Sequence, residues 1–447
     1  MSALARWFKR EEKMVLGYDK TSTPLTDELQ NEGIDVHFGD SVNDIPQEVI
    51  ENKESCVVVY TPAIPDSHRG YNYLIEQGYE VMKRSGMLGR ITEDKYTIAV
   101  AGTHGKTTTS SIIAHILQVA KINSVGFLGG VLQGYESNLL VSGDPSDETK
   151  VVVEADEFDR SFLTLNPNEA IVTSLDADHL DIYGDHEQLK ESFAEFVAKV
   201  DEKGSVYLNS SVDSEIGINA SANLMTYGLA SGEHRAMNLR ILESRFLFDY
   251  SGPNVEIKDI CLHIPGFHNV ENCIAAISVA KNLQIEDEVI RKAIETYKGV
   301  KRRFEYVINE SDLIYIDDYA HHPSEIDALL KSVKALYPDK KITAIFQPHL
   351  YTRTRDFAKG FSESLSHADE VILLNIYPAR ELPIEGINSQ MLLDGISSRS
   401  KKVLSDNELI SEIQSRQFEV LLTIGAGDID RFVTPIKNVL KERREHV

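Results

Sequence analysis

The chain is poor in the residues that secreted and membrane-bound proteins need. It has three cysteines in 447 residues, Cys56, Cys261 and Cys273, odd in number and far apart. That leaves no disulfide framework and no paired-cysteine metal knuckle, and it suits the reducing cytoplasm, where we expect the protein to work. No apolar run approaches the ~18 residues of a membrane span, so no membrane insertion is expected. The opening MSALARWFKR has no apolar stretch after it and does not read as a signal peptide. Positive charge is also short. Lys plus Arg is 46 against 70 for Asp plus Glu, a net charge of −24. This argues against nucleic acid or anionic lipid as a general partner, but still allows a local basic pocket for phosphate. Internal repeats and low-complexity tracts are absent.

What is present is a repeated strand, loop and helix pattern, the mark of an α/β protein. KMVLGYD and CVVVYTPAI read as early strands, YTIAVAG, KVVVEAD and EAIVTSL as central ones, and DLIYIDD, KITAIFQ, EVILLNI and EVLLTIG as late ones. Most are short apolar runs, as expected of parallel strands covered on both faces. Residues 205–262 alternate more and carry Gly, Ser and Asn, which predicts small antiparallel elements. The length exceeds one ordinary domain. Polar breaks at GRITEDKY and YKGVKRRFEY divide the chain into 1–94, 95–298 and 299–447.

Residues 98–109, IAVAGTHGKTTT, resemble a phosphate loop with one glycine missing. The common spacing would put glycine at position 100, where this chain has Val100. The flanks support the loop. Apolar residues at Ile112, Ile113, Ile116, Leu117 and Ala120 predict an amphipathic helix after it. A helix N-terminus offers free N–H groups to an anion. Gly102 and Gly105 would let the backbone close around phosphate oxygens, Lys106 would reach the terminal phosphates, and Thr107 would hold Mg²⁺. The bland alternative is a glycine turn with an exposed lysine.

Next, VVVEADEFDRSFL ends a strand in Glu154, Asp156, Glu157 and Asp159. Carboxylates there suit Mg²⁺, although alone they could be a solvated acidic loop. In SLDADHLDIYGD, His179 lies among Asp176, Asp178 and Asp181, either as a structural histidine or as a second metal ligand. PGFHNVENCIAAI puts His268, Asn269 and Asn272 at a helix start, over a buried stripe of Val270, Cys273, Ile274 and Ile277. Asn269 is a helix cap on one reading and a nucleotide contact on the other. GVKRRFE supplies Arg302 and Arg303, and arginine suits phosphate. YIDDYAHHPSEI and FQPHLYTRTRDF end strands with Asp317, Asp318, His321 and His322, then His349, Arg353 and Arg355. Three polar loops at strand ends suggest a second substrate site.

Together these segments, with GAGDI near the end, resemble the Mur ligases of peptidoglycan synthesis over nearly the whole chain. The likeness is to the members that join L-alanine to UDP-N-acetylmuramate. That family uses the short loop GTHGKTTT, which accounts for Val100. The resemblance implies a three-domain Mur ligase architecture: a Rossmann-like N-terminal domain for the UDP part, a central P-loop ATPase-type domain, and a Rossmann-like C-terminal domain for the amino acid. It implies a cytoplasmic enzyme, monomer or homodimer, using ATP and two Mg²⁺ ions. The lactyl carboxylate would attack the γ-phosphate, and the amine would displace phosphate from the acyl phosphate.

It implies roles residue by residue. Gly102, Thr103, His104, Gly105, Lys106, Thr107 and Thr108 would cradle ATP. Asn269, Asn272, Arg303 and Asp318 would also contact it. Thr107 and Glu154 would bind one Mg²⁺ and His179 the second. Lys106, His179 and Arg303 would be catalytic. Asp159, Arg160, Ser161, His349 and Arg353 would bind substrate, with Arg353 pairing the amino acid's carboxylate.

The chain departs from the family pattern at Ser174, often Asn, and at Phe158, often Ser. Ala194 stands where sister ligases carry a modified lysine. The family also begins with a strand and a glycine-rich turn before MSALA. The sequence therefore predicts a shortened first domain with a weaker hold on UDP, and a first helix presenting Met1, Leu4, Ala5 and Phe8. The runner-up readings are a sister ligase that adds a peptide and a binding-impaired truncated form.

Overall fold

The computed structural model describes residues 1–176, 183–212, 216, 221–379 and 381–445. The chain divides into two compact units. One comprises Met1–Arg235, Tyr250–Ile257 and Asn272–Ile294, and the other Ala236–Asp249, Lys258–Glu271 and Glu295–Val447.

The first unit opens with the helix Ser2–Arg10 and two small parallel pairs. Strand β1 (Leu16–Tyr18) pairs with β2 (Asp35–His37), and β3 (Val57–Tyr60) with β4 (Glu80–Lys83). A larger sheet follows, from β5 (Thr97–Ala101), β6 (Ser124–Leu132), β7 (Ser137–Ser142), β8 (Lys150–Glu154), β9 (Glu169–Val172), β10 (Ser205–Asn209) and β11 (Asn223–Gly228). These lie in the order β11-β10-β9-β5-β8-β6-β7. Only the β6–β7 ladder among them is antiparallel. Ile98 to Ala101, Val151 to Val153 and Ala170 to Val172 are fully buried, as parallel strands covered on both faces must be. Successive strands fall on opposite sides of β5. Strand order therefore reverses there, and α/β sheets bind ligands beyond the carboxyl ends of such strands. The glycine loop leaves β5, Glu154 ends β8, and Thr173 and Ser174 follow β9.

The boundary between the units runs through β12 (His234–Leu242), β13 (Arg245–Gly252) and β14 (Val255–Leu262). The second unit's own sheet has β15 (Glu305–Asn309), β16 (Ile314–Asp318), β17 (Ile342–Phe346), β18 (Glu370–Leu373), β19 (Ser400–Val403) and β20 (Val420–Ile424), ordered β15-β16-β20-β17-β18-β19. The β15–β16 ladder is antiparallel and the rest are parallel. Tyr315, Ile345, Ile372 and Leu421 pack there against Leu409, Ile413 and Ile436.

Three expectations need correction. First, the small antiparallel elements expected over 205–262 do not include its opening strands: β10 pairs parallel with both β9 and β11, because the helix His186–Val197 carries the chain back across the sheet before β10. Second, the helix Lys106–Val119 is not amphipathic. Thr108 to Leu117 are all buried, and its polar side is used inside the protein by Thr109, which donates to Asn272 at 3.1 Å, and by His115, which bonds Tyr135 at 2.9 Å. Third, on the first helix Leu4 is buried and Phe8 packs against the core as expected, but Met1 is about half exposed, and Ala3 and Trp7 are buried as well. The buried stripe is shifted because Trp7 packs edge-on against Phe127 of β6, with ring centroids 5.9 Å apart. Ala5 instead faces the small cluster of Leu29, Ile34 and Val36.

Candidate active site

The glycine loop has the backbone that its sequence requires. Gly102 has φ +135°, and a Cβ there would lie 2.0 Å from Thr173 Oγ1. Gly105, with φ +82°, is the N-cap of the helix Lys106–Val119, and its missing Cβ would lie 2.9 Å from Asn272 Oδ1. Only glycine meets both demands, left-handed backbone and close approach. The residues after β9 hold the loop from below. Ser174 Oγ accepts from His104 N at 2.8 Å and bonds Thr103 Oγ1 at 2.9 Å. Thr103 Oγ1 accepts from Asp176 N at 3.0 Å, and His104 Nε2 lies 3.1 Å from Asp176. Ser174 thus anchors the loop, together with Thr173, whose hydroxyl donates to Ala101 O at 3.1 Å.

Lys106 folds back over its own loop. Its Nζ donates to Gly102 O at 2.6 Å and to both Glu157 oxygens at 2.7 and 2.8 Å. Burial alone would lower its pKa. The carboxylates of Glu157, Asp156 and Glu154 outweigh this and hold the ammonium above the ordinary lysine value. Glu157 is fully buried. The sequence offers it among the strand-end carboxylates suited to Mg²⁺, and here it binds the Lys106 ammonium. Thr107 Oγ1 donates to Glu154 Oε2 at 3.0 Å, Ser110 Oγ lies 3.5 Å from Oε1, and Gly129 N also donates to Glu154. This set of hard oxygens fits Mg²⁺ in its donor chemistry. Thr108 is buried one residue further into the helix.

Phe158–Thr164 forms a short 3₁₀ turn in which Asp159 and Arg160 take positive φ, 51° and 58°. Asp159 meets Lys83 at 3.3 Å and accepts from Ser161 Oγ, while Arg160 lies over the Tyr183 ring at 5.6 Å. Phe158 is exposed, and Ala194 packs against the core. Also in this unit, a cavity of about 350 Å³ is lined by Tyr18, Lys20, Phe38, Asp40, Ser67 and His68 among others. His68 Nδ1 accepts from Tyr71 N at 3.0 Å, so Nε2 carries the proton. That nitrogen is buried without a hydrogen-bond partner. None of these cavity residues was picked out by sequence motif. His179, Asp178 and Asp181 lie outside the described residues.

The second unit gathers the other candidates. Arg303 Nη1 is 3.6 Å from Glu325, and the guanidinium lies over the Tyr319 ring at 5.1 Å. Asp318 accepts from Phe304 N and from Ala320 N, both at 2.7 Å, so it fixes the bend that carries Arg303. Burial pushes Asp318 up to about 6, against the pull of Arg303. Arg302 bonds Asp317 at 3.2 Å and also reaches Gly425 O. Asn269 is buried and donates to Pro265 O at 2.7 Å. His349 stacks on Tyr377, with centroids 5.7 Å apart, and burial followed by the nearby Arg353 takes it down to about 4. His321 Nδ1 lies 3.1 Å from Tyr319 O and 3.2 Å from Glu325 Oε2. Glu325, also missed from sequence, caps the helix Pro323–Leu336 by accepting from His321 N at 2.9 Å and His322 N at 3.2 Å.

A glycine cradle at a helix start, with a lysine, a hydroxyl and a strand-end carboxylate at the switch point of a parallel sheet, defines a phosphate-loop α/β protein. Family comparisons narrow this class. Residues 1–96 match the Mur ligase family catalytic domain, 100–280 the Mur ligase middle domain, and 302–427 the Mur ligase glutamate ligase domain. The chain belongs to the Mur ligase family. It is 48% identical over 442 residues to a UDP-N-acetylmuramate–L-alanine ligase of Flavobacterium johnsoniae, covering 99% of this chain and 96% of that one. The crystal structure of UDP-N-acetylmuramate-alanine ligase MurC from Thermotoga maritima superposes with a TM-score of 0.81 at 26% identity, covering 100% and 96% of the two chains. A murein peptide ligase from Psychrobacter arcticus shares the fold, with a TM-score of 0.68 at 22% identity, covering 98% of this chain and 96% of that one.

Proposed function

We propose that this chain joins L-alanine to the lactyl carboxylate of UDP-N-acetylmuramate, converting ATP to ADP and phosphate, in the cytoplasm. The observation that carries this reading is 48% identity, over nearly the full length, with a ligase of that name, together with a glycine loop, lysine, hydroxyl and strand-end carboxylate arranged as a phosphate site requires. In this reading, residues 1–94 hold the uridine diphosphate part, 95–298 the ATP and 299–447 the amino acid. The cavity beside His68 suits the first task, because its buried Nε2–H donor needs an acceptor and uracil carbonyls supply one.

The physical problem is to bring a carboxylate against a triphosphate. Lys106 exchanges Glu157 for phosphate oxygens, and Arg303 spreads charge from the transferring phosphoryl group. Thr107 and Glu154 would hold one Mg²⁺ and His179 a second, which would supply positive charge against the phosphoryl oxygens. Gly102 to Thr108, Asn269, Asn272 and Asp318 shape the ATP site. Asp159, Arg160, Ser161, His349 and Arg353 position the substrates, with Arg353 on the amino acid's carboxylate.

Phosphate release from Mg²⁺-ATP and UDP-N-acetylmuramate, with and without L-alanine, tests the proposal. Release that needs both substrates is expected. Release with a tripeptide but not with L-alanine would mark a peptide-adding ligase, and silence with either would overturn the assignment of substrate.

A further inference from the structure

The segments that leave β17 and β18 are laced together, and the lacing falls on the residues placed at the amino acid. Leu350 N donates to Tyr377 O at 2.9 Å, and Tyr377 N donates to Pro348 O at 2.8 Å. His349 and Tyr377 thus form a one-residue parallel bridge, with their rings stacked. Tyr377 is seated closely in turn, because a Cβ on Gly427 would lie 2.7 Å from the Cβ of Tyr377.

Beyond this bridge the chain turns through Leu350 and enters the helix Tyr351–Asp356, which carries Arg353. Leu350 is the N-cap and supplies no side-chain hydrogen bond to the helix start. Its φ of +68° is one that a bulky residue keeps only under restraint. The cap comes instead from the loop after β18. Glu381 Oε2 accepts from Thr352 N at 3.0 Å, and Glu381 Oε1 accepts from Thr352 Oγ1. One carboxylate thereby grips both donors of a single residue, which fixes the helix start in rotation as well as in position. Burial opposes the charge on Glu381. The Thr352 hydroxyl, then the N–H groups of Thr352 and Tyr351, outweigh it and hold the carboxyl below its ordinary pKa. The residue after Thr352 is Arg353, and its charge bears on His349.

We propose that Glu381 is a positioning residue for the amino acid, holding the start of the Tyr351–Asp356 helix so that Arg353 meets the carboxylate of the incoming amino acid beside the His349–Tyr377 stack. This inference rests on the ligase reading above and on the place of Arg353 in it. Glu381 touches no reacting atom in this role. Without it Arg353 keeps its charge but loses its fixed orientation, so the hold on the amino acid weakens while the phosphate loop is untouched.

Phosphate release by the full chain, with each substrate varied in turn, provides the test. Glu381→Ala is expected to raise KM for L-alanine about tenfold or more, the scale of a small misplacement of a binding group. Its kcat and its KM for ATP should stay within about twofold of the parent, the pattern of lost uniform binding. Glu381→Gln keeps an acceptor oxygen for Thr352 and should bring KM for L-alanine back to within about threefold of the parent. Thr352→Val removes the hydroxyl and leaves the N–H, so it should give an intermediate rise, and it serves as the test if Glu381→Ala does not fold. Added to Arg353→Ala, the Glu381→Ala change should alter KM for L-alanine by less than about twofold, because the two act through one contact. An unchanged KM for L-alanine in Glu381→Ala and Thr352→Val, a fall in kcat with an equal rise in KM for ATP, or Arg353 and Glu381 effects that multiply independently would overturn the inference. If the parent chain releases no phosphate with L-alanine, the ligase reading itself fails and the inference falls with it.

Discussion

The phosphate loop of one unit and the arginine bend of the other reach the left-handed backbone region with different residues. The phosphate loop places glycines in the left-handed region, Gly102 at φ +135° and Gly105 at φ +82°. The second unit places full side chains there instead: Arg302 at +60°, Phe304 at +49° and Leu350 at +68°. Positive φ in a bulky residue is costly and persists only when the surroundings impose it. Those restraints are visible. Arg302 N donates to Glu305 at 2.8 Å, Phe304 N to Asp318 at 2.7 Å, and Tyr319 N to Arg302 O at 2.7 Å. The contrast follows from what each region handles. A phosphate cradle works through bare backbone N–H groups, so side chains obstruct it. The arginine bend works through the side chains themselves, so their cost is accepted and offset by a buried aspartate.

Charge divides the regions as well. Around the loop, Lys106 is held firmly protonated by three carboxylates. In the second unit, burial moves Asp318 up to about 6 and His349 and His268 down to about 4, each toward its neutral form. One region keeps a fixed charge for an anion, and the other keeps His349 and His268 uncharged near neutral pH and makes Asp318 easier to protonate.

The sharpest way to break this contrast is Lys106→Met. It leaves Glu157 buried without its partner, which should cost about 3–5 kcal/mol in denaturant unfolding, and it should abolish phosphate release. The double variant with Glu157→Leu should recover most of the stability and none of the activity. Gly102→Ala comes next. Its Cβ would collide with Thr173, so nucleotide affinity measured by calorimetry should fall at least tenfold, whereas Leu350→Gly should leave it within about twofold. Ser174→Ala strands the His104 N–H and should cost about 1–3 kcal/mol, together with a rise in KM for ATP. Ser174→Asn should restore an acceptor.

The smallest effects concern pH. The depressed histidines favour the folded state above the unfolded value of about 6.5, and this contribution is lost as pH falls through about 4. Asp318 acts in the opposite sense. Its raised pKa gives stability that is fully present below the unfolded value, about 3.9, and is lost as pH rises through about 6. Melting temperatures of His349→Gln and Asp318→Asn across pH 4–7 should therefore flatten in opposite directions relative to the parent.

The nine predicted strands all appear, because short apolar runs between glycine and polar breaks leave a buried strand few alternatives. Polar strands escaped notice, such as β4, EVMK, and β19, SKKV, whose ladders are set by tertiary neighbours, and so did the glycine-rich β6, SVGFLGGVL. The expectation of antiparallel elements over 205–262 missed the parallel pairing of β10 with β9 and β11, because alternation cannot reveal a crossover. At the site, Lys106, Thr107 and Glu154 were legible, since motif spacing on a strand–loop–helix fixes their positions. Glu157, Ser174 and Glu325 were less so. Each acts by meeting a group distant in sequence or by serving as an ordinary cap, and neither property leaves a local pattern.

The first helix has a practical consequence. Trp7 is the chain's single tryptophan, 4% exposed and edge-on to Phe127. Ultraviolet emission excited at the indole band therefore reports one place only, the seat of the first helix on β6. A red shift that precedes the loss of helical circular dichroism would show that helix lifting as a separate unit. Coincident curves would show that the amino-terminal segment and the phosphate-loop sheet melt as one cooperative body, with no label introduced.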